Sequence, residues 1–164
     1  MSHTARAPLP TRPPRHRVRM PPAPAGGPAG GPPVRGFAVR LGRGRGRAAA
    51  ARDLTRRALR GGVAGPDAVE DVLLVVSELV TNVLDHTSCD PLLVVCFRAG
   101  RVRVEVRDAD PRLPVPQHPS PAAPHGRGLA LVAAVSVHHG VRRLPGAGKA
   151  VWALLALRPT PREP

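Results

Sequence analysis

A long helical run with polar residues at regular intervals constrains this sequence more than any other feature. From Pro66 to His86 apolar residues recur at helical spacing, so we predict one long helix that forms the backbone of the domain. Glu78, Asn82 and His86 lie four residues apart and share one helix face. Burying them is costly unless each has a partner, and a hydrated divalent cation is a candidate. The polar stripe predicts a nucleotide site, although a half-exposed helix whose polar face meets water fits the same spacing.

The positive charge of the chain is concentrated at its N-terminus. The 164 residues carry a formal net charge of +14, and residues 1–47 contribute ten arginines and no acidic side chain. The remainder is nearly balanced, with fifteen basic against eleven acidic residues. Pro8 to Pro33 is too rich in proline, glycine and arginine to bury enough apolar surface for folding. We therefore expect a disordered tail over 1–35, one folded domain over 36–158 and a flexible C-terminus over 159–164.

Composition also limits the compartment and the partners. No stretch reaches the ~20 apolar residues that span a bilayer, and no apolar signal segment follows the basic start, so we expect a cytoplasmic protein. Cys89 and Cys96 form no CxxC pattern and are expected to stay reduced. The basic tail lacks aromatic residues and an apolar face. We therefore expect no membrane binding, and nucleic-acid contacts of the tail that are weak and salt-sensitive.

Apolar patterning predicts the element order β-α-α-β-β-loop-α-β-β. The loop is inferred from six prolines between residues 111 and 124. The predicted elements are a strand at 37–41, a helix at 48–59, the long helix at 66–86, a hairpin of strands 92–98 and 101–108, a helix from Gly126 to about His139, and a closing hairpin of strands 141–144 and 150–157. Segregated helices and mostly antiparallel strands predict an α+β fold, a two-layer α/β sandwich with a mostly antiparallel mixed sheet backed by three helices.

The strand 101–108 alternates strictly, with three valines on one face. We expect the valines to face the core and Arg101, Arg103, Glu105 and Arg107 to face water, so that the sheet is covered on one side only. Asp108 falls on the valine side and should therefore leave the strand pointing toward the interior.

Two loop motifs have the chemistry of a ligand site. Asp108 ends a strand and is positioned to accept a hydrogen bond from a ligand amine such as that of adenine, although Asp108 to Pro111 also reads as a simple turn. Gly126-Arg127-Gly128 at a helix start offers free N–H groups, the positive end of the helix dipole and a guanidinium, which together hold polyphosphate. The glycines would serve equally for close packing. His125 either assists phosphate binding or only bounds the loop.

These motifs occur in an order that resembles the GHKL ATPase superfamily, and specifically the histidine-kinase-like ATPase domain of bacterial anti-sigma factor serine/threonine kinases, a Bergerat-type ATP-binding fold. The similarity runs from about Phe37 to Leu157. Residues 76–86 look like the N box of that family, 104–108 like the first glycine-box strand, and 125–129 like the second glycine box.

The resemblance implies a role for each matching residue. Glu78 and Arg127 would be catalytic, with Glu78 as general base, and Asn82 would ligate Mg²⁺. Asp108 would recognise adenine. The implied nucleotide-binding residues are Asn82, Asp85, His86, Asp108, His125, Gly126, Arg127, Gly128 and Leu129, and the implied cofactors are ATP and Mg²⁺.

The implied function is an anti-sigma factor kinase that phosphorylates a serine or threonine of an anti-sigma factor antagonist, binds a sigma factor and can form a homodimer. Two alternatives remain open, a non-catalytic nucleotide-dependent partner-binding module and a nucleic-acid binder acting through the basic tail. Two segments depart from the family pattern. Residues 108–112 read D-A-D-P-R in place of D-x-G-x-G, and 148–151 read G-K-A-V, without the threonine that members often place after the glycine.

Overall fold

The computed structural model describes residues 35–60, 64–113, 128–146 and 148–157. Its elements are β1 (Arg35–Arg40), α1 (Arg47–Leu59), α2 (Pro66–His86), β2 (Leu92–Arg98), β3 (Arg101–Asp108), α3 (Gly128–Val135), β4 (His138–Arg143) and β5 (Lys149–Ala156). The predicted element order is confirmed. The predicted tail before Arg35, most of the proline-rich loop and the predicted C-terminal segment 159–164 lie outside the described residues.

The five strands form one sheet in the order β1-β2-β3-β5-β4, and every pairing in it is antiparallel. β3 is the central strand, with β2 on one side and β5 on the other. The turn that joins β2 to β3 has positive φ at both Ala99 (48°) and Gly100 (72°), as in the two-residue turns whose twist matches that of hairpin strands. The pairing of β3 with β5 brings the end of β3, at Asp108, beside the start of β5, at Lys149.

The helices cover one face of this sheet. α2 lies between α1 and α3 and packs on β3 and β5. The core is made almost entirely of aliphatic side chains from these elements, chiefly Val72, Val75, Val76, Leu79, Val80, Val83, Val102, Val104, Val106, Val151 and Leu155. The predicted α+β two-layer sandwich is confirmed. None of the described helices is long and apolar enough to cross a bilayer.

The predicted end of α3 and the predicted start of β4 are wrong. The helix was expected to continue to about His139, but it ends at Val135, and β4 begins at His138 instead of Val141. Two contacts with β5 explain the difference, because the Val137 amide donates to the carbonyl of Leu154 at 2.8 Å and His138 pairs with Leu154. Pairing with a distant strand thus overrides the local helical pattern.

The uncovered face of the sheet holds a buried carboxylate that was expected to meet water. Glu105 is only 3% exposed, because Arg103, Arg107 and Arg142 surround it and each donates hydrogen bonds to its carboxylate. The Arg103 guanidinium also lies 4.3 Å from the ring centroid of Trp152. Burial raises the pKa of Glu105, but the hydrogen bonds from Arg103 and Arg107 outweigh it, and the net pKa lies below the ordinary value of 4.5.

Candidate functional site

The polar stripe of α2 lies at the border of the core. α2 starts with Pro66, which suits the first turn of a helix because its missing N–H needs no partner there. Its apolar face is buried, whereas Glu78 and Asn82 are partly exposed and Asp85 and His86 near its end are exposed. The carboxylate and the amide are therefore accessible to a ligand while α2 itself is anchored in the core.

Gly128, the first residue of α3, lies against the carboxylate of Glu78. A Cβ on Gly128 would overlap Oε2 of Glu78, so the missing side chain provides the room in which that carboxylate sits. Leu129, the next residue, packs against the hydrophobic core and fixes the first turn of α3. The structure thus brings the two motifs together, since the proposed general base touches the start of the proposed phosphate-binding helix. His125, Gly126 and Arg127 lie outside the described residues.

Asp108 points to the interior, as its register predicts, and its side chain is fully buried. Oδ1 accepts hydrogen bonds from the Asp110 amide and from Lys149 Nζ, both at 2.9 Å. Oδ2 is also buried but has no hydrogen-bond partner among the described residues. Buried polar atoms are almost always paired, so an orphaned carboxylate oxygen is a candidate acceptor for a ligand. Asp108 can therefore both form a turn and bind a ligand, because the turn uses Oδ1 and leaves Oδ2 available to the ligand.

The segment that departs from the glycine pattern forms its own compact turn. Asp110 repeats the geometry of Asp108, since its Oδ1 accepts from the Arg112 amide two residues on at 2.9 Å. The Arg112 guanidinium also donates to both carboxylate oxygens of Asp110, with Nε at 3.0 Å from Oδ1 and Nη2 at 2.6 Å from Oδ2. These hydrogen bonds hold the pKa of Asp110 well below its usual range. Side-chain hydrogen bonds here stabilise a turn for which the family pattern uses glycines.

Gly148 brings the start of β5 against the end of β3. Its φ is +91°, and a Cβ at this position would collide with the Asp108 carbonyl oxygen and with the Cα of Ala109. Glycine is therefore required on two counts, backbone conformation and space. The contact fixes Lys149, the next residue, directly opposite Asp108 in the β3–β5 ladder.

Sequence patterns did not identify two residues that the structure places in the region of the site. Arg43 donates to the carbonyl oxygens of Leu84, Thr87 and Cys89 and so caps the C-terminal end of α2, but nothing in the sequence distinguishes it from the other arginines near the N-terminus. Lys149 drew attention only because it follows Gly148, where family members often have a threonine. It is the single lysine of an arginine-rich chain, and that signal could have drawn attention to it.

Asp85 lies two helical turns beyond Glu78 on α2. It borders a shallow depression of about 350 Å³ that also involves Thr81, Leu84 and residues 43–48 ahead of α1. Asn82 offers an amide oxygen, a hard ligand of the kind that Mg²⁺ accepts, and Mg²⁺ in nucleotide sites takes most of its other ligands from phosphates and water. The carboxylate at Gly128, the partly exposed Asn82 and the orphaned oxygen of Asp108 fit a bound nucleotide with its metal.

The α/β sandwich and the residues of the candidate site fit a nucleotide-binding domain. The model of the histidine kinase-like ATPase domain family matches residues 45–155, about two thirds of the chain. The chain therefore belongs to the histidine kinase-like ATPase domain family, which confirms the GHKL resemblance, and membership implies ATP binding.

Comparison with solved structures supports the fold. The chain is similar to the crystal structure of the RsbU and RsbW domains of Rv1364c from Mycobacterium tuberculosis, with a TM-score of 0.58 and 18% sequence identity. The match covers 77% of this chain and 33% of that chain, so the protein spans about a third of the solved one. No curated protein matches the sequence.

Proposed function

We propose that the protein is an ATP- and Mg²⁺-dependent serine/threonine protein kinase of the anti-sigma factor type. Its substrate would be a serine or threonine hydroxyl of an anti-sigma factor antagonist, and its other partner a sigma factor. The contact between the Glu78 carboxylate and Gly128 supports this proposal most directly, because the carboxylate proposed as the general base lies beside the helix start proposed to hold the phosphates. Family membership and the similarity to a protein with an RsbW domain support it.

In the proposed reaction, Glu78, the start of α3 and Asn82 have separate roles. Glu78 accepts the proton of the antagonist hydroxyl while that oxygen bonds to the γ-phosphorus of ATP and the bond to the β-phosphate oxygen breaks, releasing ADP. The N–H groups at the start of α3 and the guanidinium of Arg127 neutralise the transferring phosphoryl group. Asn82 holds Mg²⁺, which screens the phosphate charge when bound.

At the base end, Oδ2 of Asp108 accepts a hydrogen bond from the amine of adenine. The remaining proposed nucleotide contacts are Asp85, His86, His125, Gly126 and Leu129, and homodimer formation remains a prediction. Burial of Asp108 excludes water from this hydrogen bond, which strengthens it.

Transfer of label from γ-labelled ATP to a candidate antagonist tests the kinase activity. We expect Glu78→Gln to lower the transfer rate by about 10²- to 10⁴-fold, the usual contribution of a general base, while ATP remains bound. The matched control is Glu70→Gln, which removes a carboxylate that is 74% exposed on the same helix and should leave the rate unchanged. Binding of ATP by the wild type without any transfer would favour the non-catalytic partner-binding module. An undiminished rate in Glu78→Gln would show that another group is the base.

The metal site is tested by calorimetric titration of ATP with and without Mg²⁺. Mg²⁺ should increase the ATP affinity of the wild type, and Asn82→Ala should abolish that increase because it removes the proposed protein ligand. Thr81→Ala, a change at the exposed neighbouring residue, should preserve it. Equal Mg²⁺ dependence in Asn82→Ala and the wild type would remove Asn82 from the metal site.

A further inference from the structure

We propose that Lys149 determines which nucleobase the site accepts, by presenting its ammonium group beside Oδ2 of Asp108, the carboxylate oxygen that has no partner in the described part of the chain. The proposal rests on the proposed function, in that it takes the site to bind a purine nucleotide. It adds a specificity-determining residue at the position where this chain departs from the threonine-containing family pattern.

The Lys149 ammonium is fixed beside Asp108 by three contacts. The two residues are direct partners in the β3–β5 ladder, and Nζ donates to Oδ1 of Asp108 at 2.9 Å and to the carbonyl oxygen of Asp110 at 3.1 Å. Its side chain is only 4% exposed, and the neighbouring Gly148 locks the strands together. A lysine held in this way cannot swing out to solvent without breaking a buried ion pair.

Two hydrogen-bonding groups that lack a partner among the described residues therefore lie next to each other in the interior. An ammonium has three N–H donors, and two of those of Lys149 are occupied. The third has no acceptor within the described part of the chain, just as Oδ2 of Asp108 has no donor there. Leaving such groups unpaired is unfavourable, so the pair favours a ligand edge with a donor next to an acceptor.

The edge of adenine that carries its amine has this pattern. The amine at position 6 donates to Oδ2 of Asp108, and the adjacent ring nitrogen N1 accepts from Lys149 Nζ. Hypoxanthine, the base of inosine triphosphate (ITP), has the reverse pattern, with a carbonyl at position 6 and an N–H at N1. Bound in the same place, it would set its carbonyl against the carboxylate and its N–H against the ammonium. The second of these mismatches, N–H against ammonium, is due to Lys149. Sites built around such hydrogen bonds reject mismatched ligands strongly.

The test is the ratio of Mg-ATP to Mg-ITP affinity of the full chain, measured by calorimetry. We expect the wild type to prefer ATP by more than about a hundredfold, because both hydrogen bonds discriminate. Lys149→Met and Lys149→Gln should each lower the ratio by about tenfold or more, since methionine donates nothing and a glutamine amide can donate or accept. Lys149→Arg offers only donors and should retain the preference. Arg143→Met, which removes a charge from the residue paired with Lys149 in β4, should leave the ratio unchanged.

The outcomes separate this inference from the proposed function. Equal wild-type affinity for ATP and ITP would overturn the inference without any variant, so it stays testable even if Lys149→Met fails to fold. An unchanged affinity ratio in Lys149→Gln would also overturn the inference. So would a Lys149→Met variant that binds both nucleotides more tightly at an unchanged ratio, and that result would identify the lysine as an obstruction. Each of these results leaves ATP binding intact. A wild type that binds neither nucleotide would instead overturn the proposed function and this inference with it.

Discussion

Glu105→Gln is the substitution whose effect on stability the structure defines best. The Glu105 carboxylate lies on the helix-free face of the sheet and accepts four hydrogen bonds from three arginines. Arg103 donates from Nε at 3.2 Å and from Nη2 at 2.8 Å, Arg107 from Nε at 2.5 Å, and Arg142 from Nη2 at 2.8 Å. Glutamine has the same shape but no charge, and one of its two terminal groups donates. The variant therefore keeps the packing and loses most of the charge-assisted bonds.

The magnitude follows from the bonds lost and from the exposure of the arginines. A hydrogen bond to a charged group contributes about 1.5 to 3 kcal/mol when buried, but the three guanidinium groups can recover part of this from water. Their side chains are 35%, 27% and 43% exposed, whereas the glutamate side chain is 4% exposed. We therefore expect a loss of about 2 to 3 kcal/mol in the free energy of unfolding, short of the roughly 3 to 5 kcal/mol for breaking a fully buried pair. For a domain of this size the melting temperature should fall by about 10 °C.

The effect should depend on pH in a defined direction. Because the folded-state pKa of Glu105 is lowered, its contribution is fully present above the ordinary value of 4.5 and disappears as the pH falls through the folded-state pKa. Urea denaturation of wild type and variant at pH 7 and again in acid measures this. The difference in free energy of unfolding should shrink below pH 4.5, because the protonated glutamate of the wild type then resembles glutamine.

Asp53→Asn is the matched control, since it also neutralises a carboxylate paired with an arginine. Asp53 and its partner Arg56 are 61% and 44% exposed and lie 3.4 Å apart, so the loss should stay below about 0.5 kcal/mol. If Glu105→Gln cost no more than this control, the arginine cluster would contribute nothing to stability and the reasoning would be refuted.

Three further predictions concern the site and the core. Gly128→Ala should leave the melting temperature nearly unchanged but slow phosphoryl transfer more than tenfold, because the added Cβ displaces the carboxylate of Glu78. Gly42→Ala, the control, has room for the methyl group and should change neither the melting temperature nor the transfer rate. Leu79→Ala removes a side chain that is 1% exposed and should cost about 2 to 5 kcal/mol in urea denaturation, and a smaller loss would mean that the core collapses around the cavity. Cys96 should react slowly with a disulfide reagent at pH 8 and faster as the pH rises past 9. The pKa of its thiol is raised mainly by burial and, to a lesser extent, by the charge of Glu105. Rapid reaction at pH 8 would contradict this prediction.

The parts of the fold that local sequence patterns control were predicted closely. The hairpin of β2 and β3 has the predicted bounds, because strict alternation and a turn at Ala99-Gly100 are properties of adjacent residues. The long helix α2 likewise starts at Pro66 and ends at His86. The boundary after α3 was wrong because it depends on pairing with Leu154, a residue that lies elsewhere in the sequence. Local periodicity does not contain that information.

In the candidate site, too, features set by adjacent residues were predicted, whereas features set by the pairing of distant strands were not. The inward direction of Asp108 followed from counting alternate residues along β3, and its burial confirms the count. Its ion pair with Lys149 could not be predicted, because it requires the register of two strands and joins residues that lie 41 positions apart in the chain. The burial of Glu105 was missed for a related reason. The alternation places it correctly on the open face, but only the arrangement of arginines from β3 and β4 shows that they cover it.

The register between β3 and β5 connects the stability of the core to the proposed recognition of the nucleobase. In this ladder Val104 lies opposite Ala153 and Val106 opposite Val151, and all four side chains are buried on the helix-covered face. A slip of one residue would turn this apolar set toward solvent, so the hydrophobic core holds the register firmly. The same register sets Lys149 opposite Asp108 at the end of the ladder. Core packing therefore determines that these two positions meet. The choice of an acid and a base there serves no packing need, and the proposed binding of a nucleobase by both side chains would account for it.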